Sequence, residues 1–305
     1  AVAEYWSRRF FPTNEYYRID GRPAVVMWQP QNLERDLGGP DKARAALEAA
    51  QDVARKAGHK GICFVAMKWP EAATEPAVIR ALADQGYQMT ANYHYLGHGG
   101  RAANDRRYSF ELVAATSADF WRALHRAGVL PFIPTLSTGW DARPWHGENT
   151  RVVSGRTPAL FRRICEDARR FGEETGVRRL ALGPLNEWGE GSYVEPNKEF
   201  GFEMYDAIRD TFCEKPSGGW PPNLTPGEVG LGPYDLPGVG GVPSCEWRFD
   251  RDAEGWRPMM GISDFRVENG ALRFRTSGRD PALTVSLGDG ARAERFPSAS
   301  IRMRI

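Results

Sequence analysis

Residues 61–95 read GICFVAMKWPEAATEPAVIRALADQGYQMTANYHY, and they contain the pattern from which the fold class follows. The apolar, β-branched run at 61–68 predicts a buried strand. An amphipathic segment at 75–86 predicts a helix, and a second apolar run at 87–95 predicts another strand. Strands joined through a helix usually run parallel to each other, so this stretch predicts one unit of an α/β protein.

The same alternation continues on both sides of this unit. Upstream, 23–29 predicts a strand and 39–58 predicts a helix. Downstream the pattern repeats, which makes five strand-then-helix units in a row. The remaining predicted elements are the helices 117–128, 157–176 and 200–214 and the strands 129–137 and 178–185.

Two of these helices start with residues that are typical of helix N-termini. Ser117 is the expected N-cap of helix 117–128, because its hydroxyl can accept a hydrogen bond from a free backbone N–H group. Thr157 is the expected N-cap of helix 157–176, and Pro158 follows it at the first helical position.

Five such units are typical of a parallel sheet, in either a doubly wound fold or a (β/α)8 barrel. No G-x-G-x-x-G motif opens the first turn and no G-x-x-x-x-G-K-[ST] motif occurs, so the nucleotide-binding folds lack support. We therefore expect a partial (β/α)8-type catalytic barrel over residues 1–214. A barrel has eight strands, so we expect three preceding units to lie outside this sequence.

The composition changes after the last predicted helix. Residues 215–243 are dense in proline and glycine without a period, which predicts a linker. Residues 244–305 contain short apolar runs separated by turn residues. They predict a partial antiparallel β-sandwich, similar to carbohydrate-binding or lectin-like modules and shorter than the roughly 100 residues of a complete sandwich.

Asn269-Gly270 predicts a two-residue β-hairpin turn in this C-terminal part. Such a turn pairs Val267 with Leu272 and Phe265 with Phe274. The apolar side chains would then meet on one face of the hairpin.

The overall composition is that of an ordinary globular protein, with 41 % hydrophobic and 26 % charged residues and a net charge of +1. This balance gives no electrostatic reason to expect nucleic acid as a partner. No apolar run reaches the roughly 18 residues of a membrane span. Ten tryptophans are a high number for this length, and they either pack the core or offer flat faces to sugar rings.

Residues that can bind and cleave a ligand follow three predicted strands. In a parallel barrel the active site lies at the carboxyl ends of the strands, so these residues should converge on one rim. They are Tyr93 and His94 after the third strand, Trp140, Asp141 and Arg143 after the fourth, and Asn186, Glu187, Trp188 and Glu190 after the fifth.

Glu187 and Glu190 are three residues apart in one turn, so both carboxyl groups can reach one pocket. Paired carboxylates are the usual equipment for cleaving a glycosidic bond. One must donate a proton to the leaving oxygen, which requires a raised pKa, and the other acts as base or nucleophile. Trp188 could supply the apolar wall that raises this pKa. Two solvated acids in an exposed turn remain the alternative.

A metal site is the other alternative for this rim. His94, His98 and His146 could join Asp141 as ligands, but no H-x-H or H-E-x-x-H spacing supports such a site. The four cysteines also lack zinc spacing, since no two are closer than 32 residues. We therefore expect neither a metal nor a cofactor.

Three motifs are similar to family-99 glycoside hydrolases, the endo-α-mannosidases, and to the related WbsX-type proteins of bacterial polysaccharide loci. They are PLNEWGEGSYVEP at 184–196, GWDARPWHGENTRVVSGRTPALFRR at 139–163 and NEYYRIDGRPAVVMW at 14–28. The resemblance covers residues 14–214 and implies a (β/α)8 barrel that cleaves α-linked sugars with retention. One departure is Gly189, which stands where the family has a bulkier residue.

The resemblance also implies roles for the two glutamates. Glu187 would remove the proton from the sugar 2-OH, so that O2 attacks C1 and forms a 1,2-anhydro sugar. Glu190 would protonate the leaving oxygen and then activate water. Tyr93, His94 and Asn186 join Trp140, Asp141, Arg143 and Trp188 as the expected substrate-binding residues.

The expected function is therefore a retaining glycoside hydrolase acting on an α-linked polysaccharide, with mannose as its candidate sugar. Two alternatives remain open: a WbsX-type protein of polysaccharide assembly that transfers glycans, and a carbohydrate-binding protein without catalysis. In each case the expected partner is an oligo- or polysaccharide. The appended sandwich is typical of secreted hydrolases, so we expect a periplasmic or extracellular location in a bacterium.

Overall fold

The computed structural model describes residues 1–68, 76–96, 107–225, 227–229, 246–277 and 280–286. The chain divides into two compact units, Ala1–Gly219 and Trp220–Ile305. The predicted α/β class is confirmed, because helices alternate with parallel strands through the first unit.

The bounds of the elements follow the predicted alternation, with short additional pieces. The helices are α1 Val2–Arg9, α2 Pro30–Leu37, α3 Pro40–Lys56, α4 Pro76–Gln85, α5 Phe110–Ala127, α6 Arg143–His146, α7 Pro158–Thr175 and α8 Glu203–Phe212. The strands are β1 Arg18–Ile19, β2 Arg22–Trp28, β3 Cys63–Lys68, β4 Met89–Asn92, β5 Arg107–Ser109, β6 Phe132–Ile133, β7 Thr135–Leu136, β8 Trp140–Asp141, β9 Val152–Ser154, β10 Ala181–Leu182, β11 Asn186–Glu187, β12 Ser192–Tyr193, β13 Arg257–Met260, β14 Ile262–Val267, β15 Leu272–Thr276 and β16 Ala282–Thr284.

The main sheet has the order β1-β2-β3-β4-β6, and the strands from β2 onward are parallel. Pro134 separates β6 from β7, because proline lacks the N–H group that a ladder needs. Beyond this break, β7 pairs in parallel with β10. Neighbouring parallel strands therefore follow chain order, and their carboxyl ends lie at one edge. Within the residues that the structure describes, they form no closed barrel.

Alternate residues of the strands pack on opposite faces of the sheet. Val65 and Met89 belong to a cluster made almost entirely of strand residues, together with the buried Cys63. Phe64, on the opposite face, packs with Leu47 of α3 in a second cluster. The largest cluster lies around α5 and α7 and contains Trp121, Phe161 and Phe171, all of them fully buried.

Helix α5 begins earlier than the sequence predicts. Its N-cap is Ser109, whose hydroxyl accepts a hydrogen bond from the N–H group of Leu112 at 3.1 Å. The prediction of Ser117 as N-cap is wrong, because Ser117 lies inside the helix, fully buried, and donates to the carbonyl oxygen of Val113. By contrast, the prediction for α7 is confirmed: Thr157 accepts from the N–H group of Leu160 at 3.2 Å.

Replacing Ser109 with alanine should lower the free energy of unfolding by about 1 kcal/mol, because the N-terminal N–H group of α5 loses its acceptor. The matched control is Ser117→Ala, which removes a hydroxyl whose partner carbonyl keeps its helical hydrogen bond. We expect this control to change the same free energy by less than about 0.5 kcal/mol. Urea unfolding followed by circular dichroism measures both, and a larger loss at Ser117 would contradict this N-cap assignment.

In the part of the second unit that the structure describes, there are two antiparallel strand pairs, β13 with β16 and β14 with β15. The turn Asn269-Gly270 is confirmed, since both residues have positive φ and Val267 pairs with Leu272. The predicted pair Phe265 and Phe274 lies at an irregularity of this ladder, next to the pair Arg266 and Arg273 that follows the predicted register. A β-bulge shifts the register between Ser263 and Arg266, where Asp264 adopts a left-handed φ of 51°.

Candidate active site at the carboxyl ends of the strands

The predicted glutamate pair lies in a tight hairpin at this edge of the sheet. Strands β11 and β12 pair Asn186 with Tyr193 and Glu187 with Ser192. A short 3-10 helical turn, Trp188–Glu190, connects them and brings Glu190 back beside Glu187. Gly191 closes the turn with a φ of 62°, a conformation that favours glycine.

Glu190 has the environment of a general acid. Its carboxylate oxygen Oε2 accepts a hydrogen bond from the Tyr93 hydroxyl at 3.1 Å, although the two residues are 97 positions apart. Burial raises the pKa of the Glu190 carboxyl, and the neighbouring Glu187 charge raises it further. The Tyr93 hydrogen bond and the charge of His146 lower this pKa and offset part of the rise.

The Tyr93 hydroxyl, which donates this hydrogen bond, also has a raised pKa. Burial raises the pKa of Tyr93, and the charges of Glu190 and Glu187 add to this effect. Tyr93 therefore stays protonated and acts as the hydrogen-bond donor of the pair. Tyr93 directly follows β4, the third predicted strand, and Glu190 follows the fifth predicted strand. Their contact therefore joins two strand ends, as expected if the site residues converge on one rim.

Removing this hydrogen bond should raise the pKa of Glu190, because the Tyr93 hydroxyl favours the charged carboxylate. We expect Tyr93→Phe to raise the pKa of Glu190 above its value in the wild-type protein, because the charged carboxylate loses a hydrogen bond. A ¹³C NMR titration of the labelled glutamate carboxyl groups measures this shift. An unchanged or lower pKa in the variant would show that the contact does not act on Glu190.

Three tryptophans with partly exposed side chains lie around the pair. The Trp188 indole N–H donates to Glu195 at 2.8 Å, and its ring stacks on Tyr193 at 3.9 Å, which leaves the ring's orientation fixed. Trp28 packs edge-on against Tyr93 at 4.8 Å between ring centroids. Trp28 is 46 % exposed and Trp188 is 47 % exposed, so part of each side chain is accessible from solvent.

The third tryptophan explains why glycine stands between the glutamates. Trp145 packs against Gly189, and a Cβ atom there would lie 2.8 Å from Cε2 of the indole ring. A larger residue at 189 would therefore displace Trp145. The departure from the resembled family at this position thus coincides with a tryptophan that occupies the space of a side chain.

Asp141 and Arg143 form a bidentate ion pair, with Nε–Oδ1 at 2.8 Å and Nη2–Oδ2 at 2.6 Å. These hydrogen bonds lower the pKa of Asp141, so this carboxylate stays charged and is not a proton donor. Asp141 also contacts the glutamate turn, because a Cβ atom on Gly191 would lie 2.9 Å from Asp141 Cβ.

His94 and Trp140 form the interior of this rim. His94 is fully buried, and burial lowers its pKa to about 3, so the ring is neutral. The Ser192 hydroxyl donates to the carbonyl oxygen of Gly139 at 2.7 Å, which leaves His94 Nε2 as the donor to Ser192 at 3.2 Å. Trp140, 6 % exposed, packs against the His94 ring at 5.2 Å.

The structure thus brings all nine predicted residues to one rim, with Asn186 and Trp188 exposed and His94 enclosed. Sequence reasoning missed Trp28, although Trp28 ends β2 and the same strand-end rule would have found it. It also missed Ser192, whose role depends on a contact with a residue 98 positions away.

Among the described residues, no group of three or more His, Cys, Asp or Glu side chains is arranged so that it could hold a metal ion. His98, one of the considered ligands, lies outside the described residues.

A cavity of about 230 Å³ lies at the opposite edge of the sheet and is lined by Arg22, Lys60 and Gln88 among others. None of the predicted site residues lines it. Among the helices that the structure describes, none is long and apolar enough to cross a membrane.

Comparison with known proteins shows which family this chain matches. The profile of the family described as Glycosyltransferase WbsX matches residues 2–208, which include all nine predicted site residues. A search of curated proteins found no match. A solved structure titled "Glycoside hydrolase-like protein" is similar to this chain, with a TM-score of 0.49 and 19 % sequence identity. The similarity covers 67 % of this chain and 57 % of that one, so the chain spans little more than half of that structure's length.

Proposed function

The chain belongs to the WbsX glycosyltransferase family, and from this premise we propose that it is a carbohydrate-active enzyme that cleaves an α-glycosidic bond with Glu187 and Glu190. One observation carries the proposal. Glu190 is a half-buried carboxyl group with a raised pKa, beside a second carboxylate and bound by Tyr93. This is the pair of unlike environments that acid–base cleavage of a glycoside needs.

The first step forms an internal ring in the sugar. Glu187 takes the proton of the 2-OH group, and O2 attacks C1. The bond from C1 to the leaving oxygen breaks as Glu190 gives its proton to that oxygen. The products of the step are a 1,2-anhydro sugar, a protonated Glu187 and an ionised Glu190.

The second step restores both carboxyl groups. Glu190 takes a proton from water, whose oxygen attacks C1 and opens the anhydro ring. Glu187 returns its proton to O2. Two inversions at C1 give overall retention, and neither glutamate has to reach C1 itself.

Transfer to a sugar hydroxyl is the second candidate, and the family's name favours it. It needs no further catalytic group, because an acceptor hydroxyl can replace water in the second step. A nucleotide-sugar donor would need cations for its phosphates. Arg143 is already engaged by Asp141 at this rim, which favours a glycan donor.

We assign roles to the other site residues according to how exposed their side chains are. His94 and Trp140, both buried, support the loops around the pair, and Tyr93 holds Glu190. Direct contact with sugar is assigned to the residues with accessible side chains, Asn186, Asp141, Arg143 and Trp188.

We also propose that residues 1–214 are part of a (β/α)8 barrel. A doubly wound sheet reverses its strand order at one point. Here neighbouring parallel strands follow chain order, as in a barrel: β2, β3, β4, then β6 and β7, then β10. Residues 215–243 are then the linker and 244–305 a partial sandwich that binds carbohydrate.

A panel of α-linked oligosaccharides, α-mannans included, tests the proposal. We expect new reducing ends in water, or longer products when a sugar acceptor is added, without any nucleotide sugar. An absolute requirement for a nucleotide sugar would favour the assembly-type glycosyltransferase. Glycan binding without any new product, measured by calorimetry on the same panel, would favour the non-catalytic alternative.

A further inference from the structure

Arg156 makes an unusual set of contacts beneath the rim. It lies between β9 and α7, directly before the N-cap Thr157. Its Nη1 atom donates to three backbone carbonyl oxygens, those of Thr138 at 2.6 Å, Gly191 at 3.1 Å and Tyr193 at 3.2 Å. The carbonyl group of Thr138 belongs to the loop before β8, whereas those of Gly191 and Tyr193 belong to the β11–β12 hairpin.

Aromatic rings fix the orientation of the same guanidinium. Its central carbon lies 4.1 Å from the centroid of the Tyr193 ring and 5.1 Å from that of Phe200. The backbone also leaves room for it: a Cβ atom on Gly139, whose φ is 119°, would lie 2.9 Å from Nη1. A planar cation with several donors fits this place, and lysine lacks the planar face.

The two loops are those that carry the proposed chemistry. Gly191 directly follows Glu190, and Thr138 lies three residues before Asp141. One side chain therefore connects the glutamate turn to the loop of the Asp141 ion pair. We propose that Arg156 is a positioning residue that holds Glu190 at its catalytic depth; this role rests on the proposed function of Glu190.

By holding the glutamate turn, Arg156 sets how deeply the Glu190 carboxyl group is buried. The titratable groups that face its carboxyl are Tyr93 from the end of β4, Glu187 from β11 and His146 from α6. Burial is the main reason for the raised pKa. A turn released from Arg156 would let water reach the carboxyl, so its pKa would fall towards the ordinary range.

The experiment is a ¹³C NMR titration of the Glu190 carboxyl in the whole protein and its variants. We expect Arg156→Ala to lower the pKa of Glu190, opposite in direction to the Tyr93→Phe variant. Arg156→Lys should give an intermediate value, and it decides the question if the alanine variant does not fold. Added guanidinium ion should restore the pKa in Arg156→Ala.

The matched control is Arg162→Ala. Arg162 is also a partly exposed arginine, but it lies on α7 and pairs with Asp210 on α8 at 3.3 Å. This variant should leave the Glu190 titration unchanged. On a glycan that the protein turns over, Arg156→Ala should lower kcat by about 100-fold with KM little changed, as expected for misplaced catalytic groups.

The titration needs no substrate, so it separates this inference from the proposed function. A lowered pKa with no turnover of any glycan would support the positioning contact and contradict the proposed activity. A Glu190 pKa that stays at the wild-type value in both Arg156 variants, or moves equally in Arg162→Ala, would overturn the inference.

Discussion

Glu190→Gln should lower turnover of an unactivated α-linked glycan by about 1,000-fold, within the range that general acids contribute. Glutamine keeps the shape of the side chain and can still accept the hydrogen bond from Tyr93, but it has no proton to give to the leaving oxygen. The loss should appear in kcat, because ground-state contacts with the sugar remain.

A substrate with a good leaving group distinguishes this role from others. A dinitrophenol departs without protonation, so an activated aryl α-glycoside should restore most of the lost rate in Glu190→Gln. The control is Glu203→Gln, an exposed carboxylate in the first turn of α8 that should leave both rates unchanged. Full activity of Glu190→Gln on the natural linkage would remove Glu190 from the mechanism.

Glu187→Gln should cause a loss of at least similar size, about 1,000-fold or more, by removing the base that activates the sugar hydroxyl. Here the activated aryl glycoside should give no rescue, because attack by O2 still requires the 2-OH proton to leave. The contrast between the two variants on the same pair of substrates is the signature of unequal roles. Equal rescue of both would indicate that Glu187 acts only through its charge.

The order of elements in the first unit was predictable because it depends on local patterns. Hydrophobic periodicity reports which face of a segment is buried, and five such segments sufficed for the parallel sheet. Boundaries were less predictable: Ser109 and Ser117 both have the side chain of an N-cap, and the tertiary structure selected Ser109. Pro134 likewise divides a predicted strand in two.

The candidate site could be predicted as a set of neighbouring residues and not as a set of contacts. The family resemblance, read from three motifs, is confirmed by the profile match over residues 2–208. However, the hydrogen bond from Tyr93 to Glu190 and the three carbonyl contacts of Arg156 join residues that are far apart in sequence. No local pattern marks such contacts, because they depend on how the strand ends meet.

The position of Gly189 illustrates the same limit. In the sequence it was only a departure from the resembled family, next to two glutamates. In the structure it is the place where the Trp145 indole packs, so its small size has a steric cause. The cause lies 44 positions away in the chain, on the short helix α6.

The most direct test of the paired-glutamate mechanism compares an α-linked glycan that the protein turns over with its 2-deoxy counterpart. The two substrates differ only in the oxygen that Glu187 is proposed to activate. We predict turnover of the first, with the α-anomer formed first by ¹H NMR, and no detectable turnover of the second. Cleavage of the 2-deoxy glycan at a comparable rate would contradict the mechanism, because O2 could then not be the nucleophile.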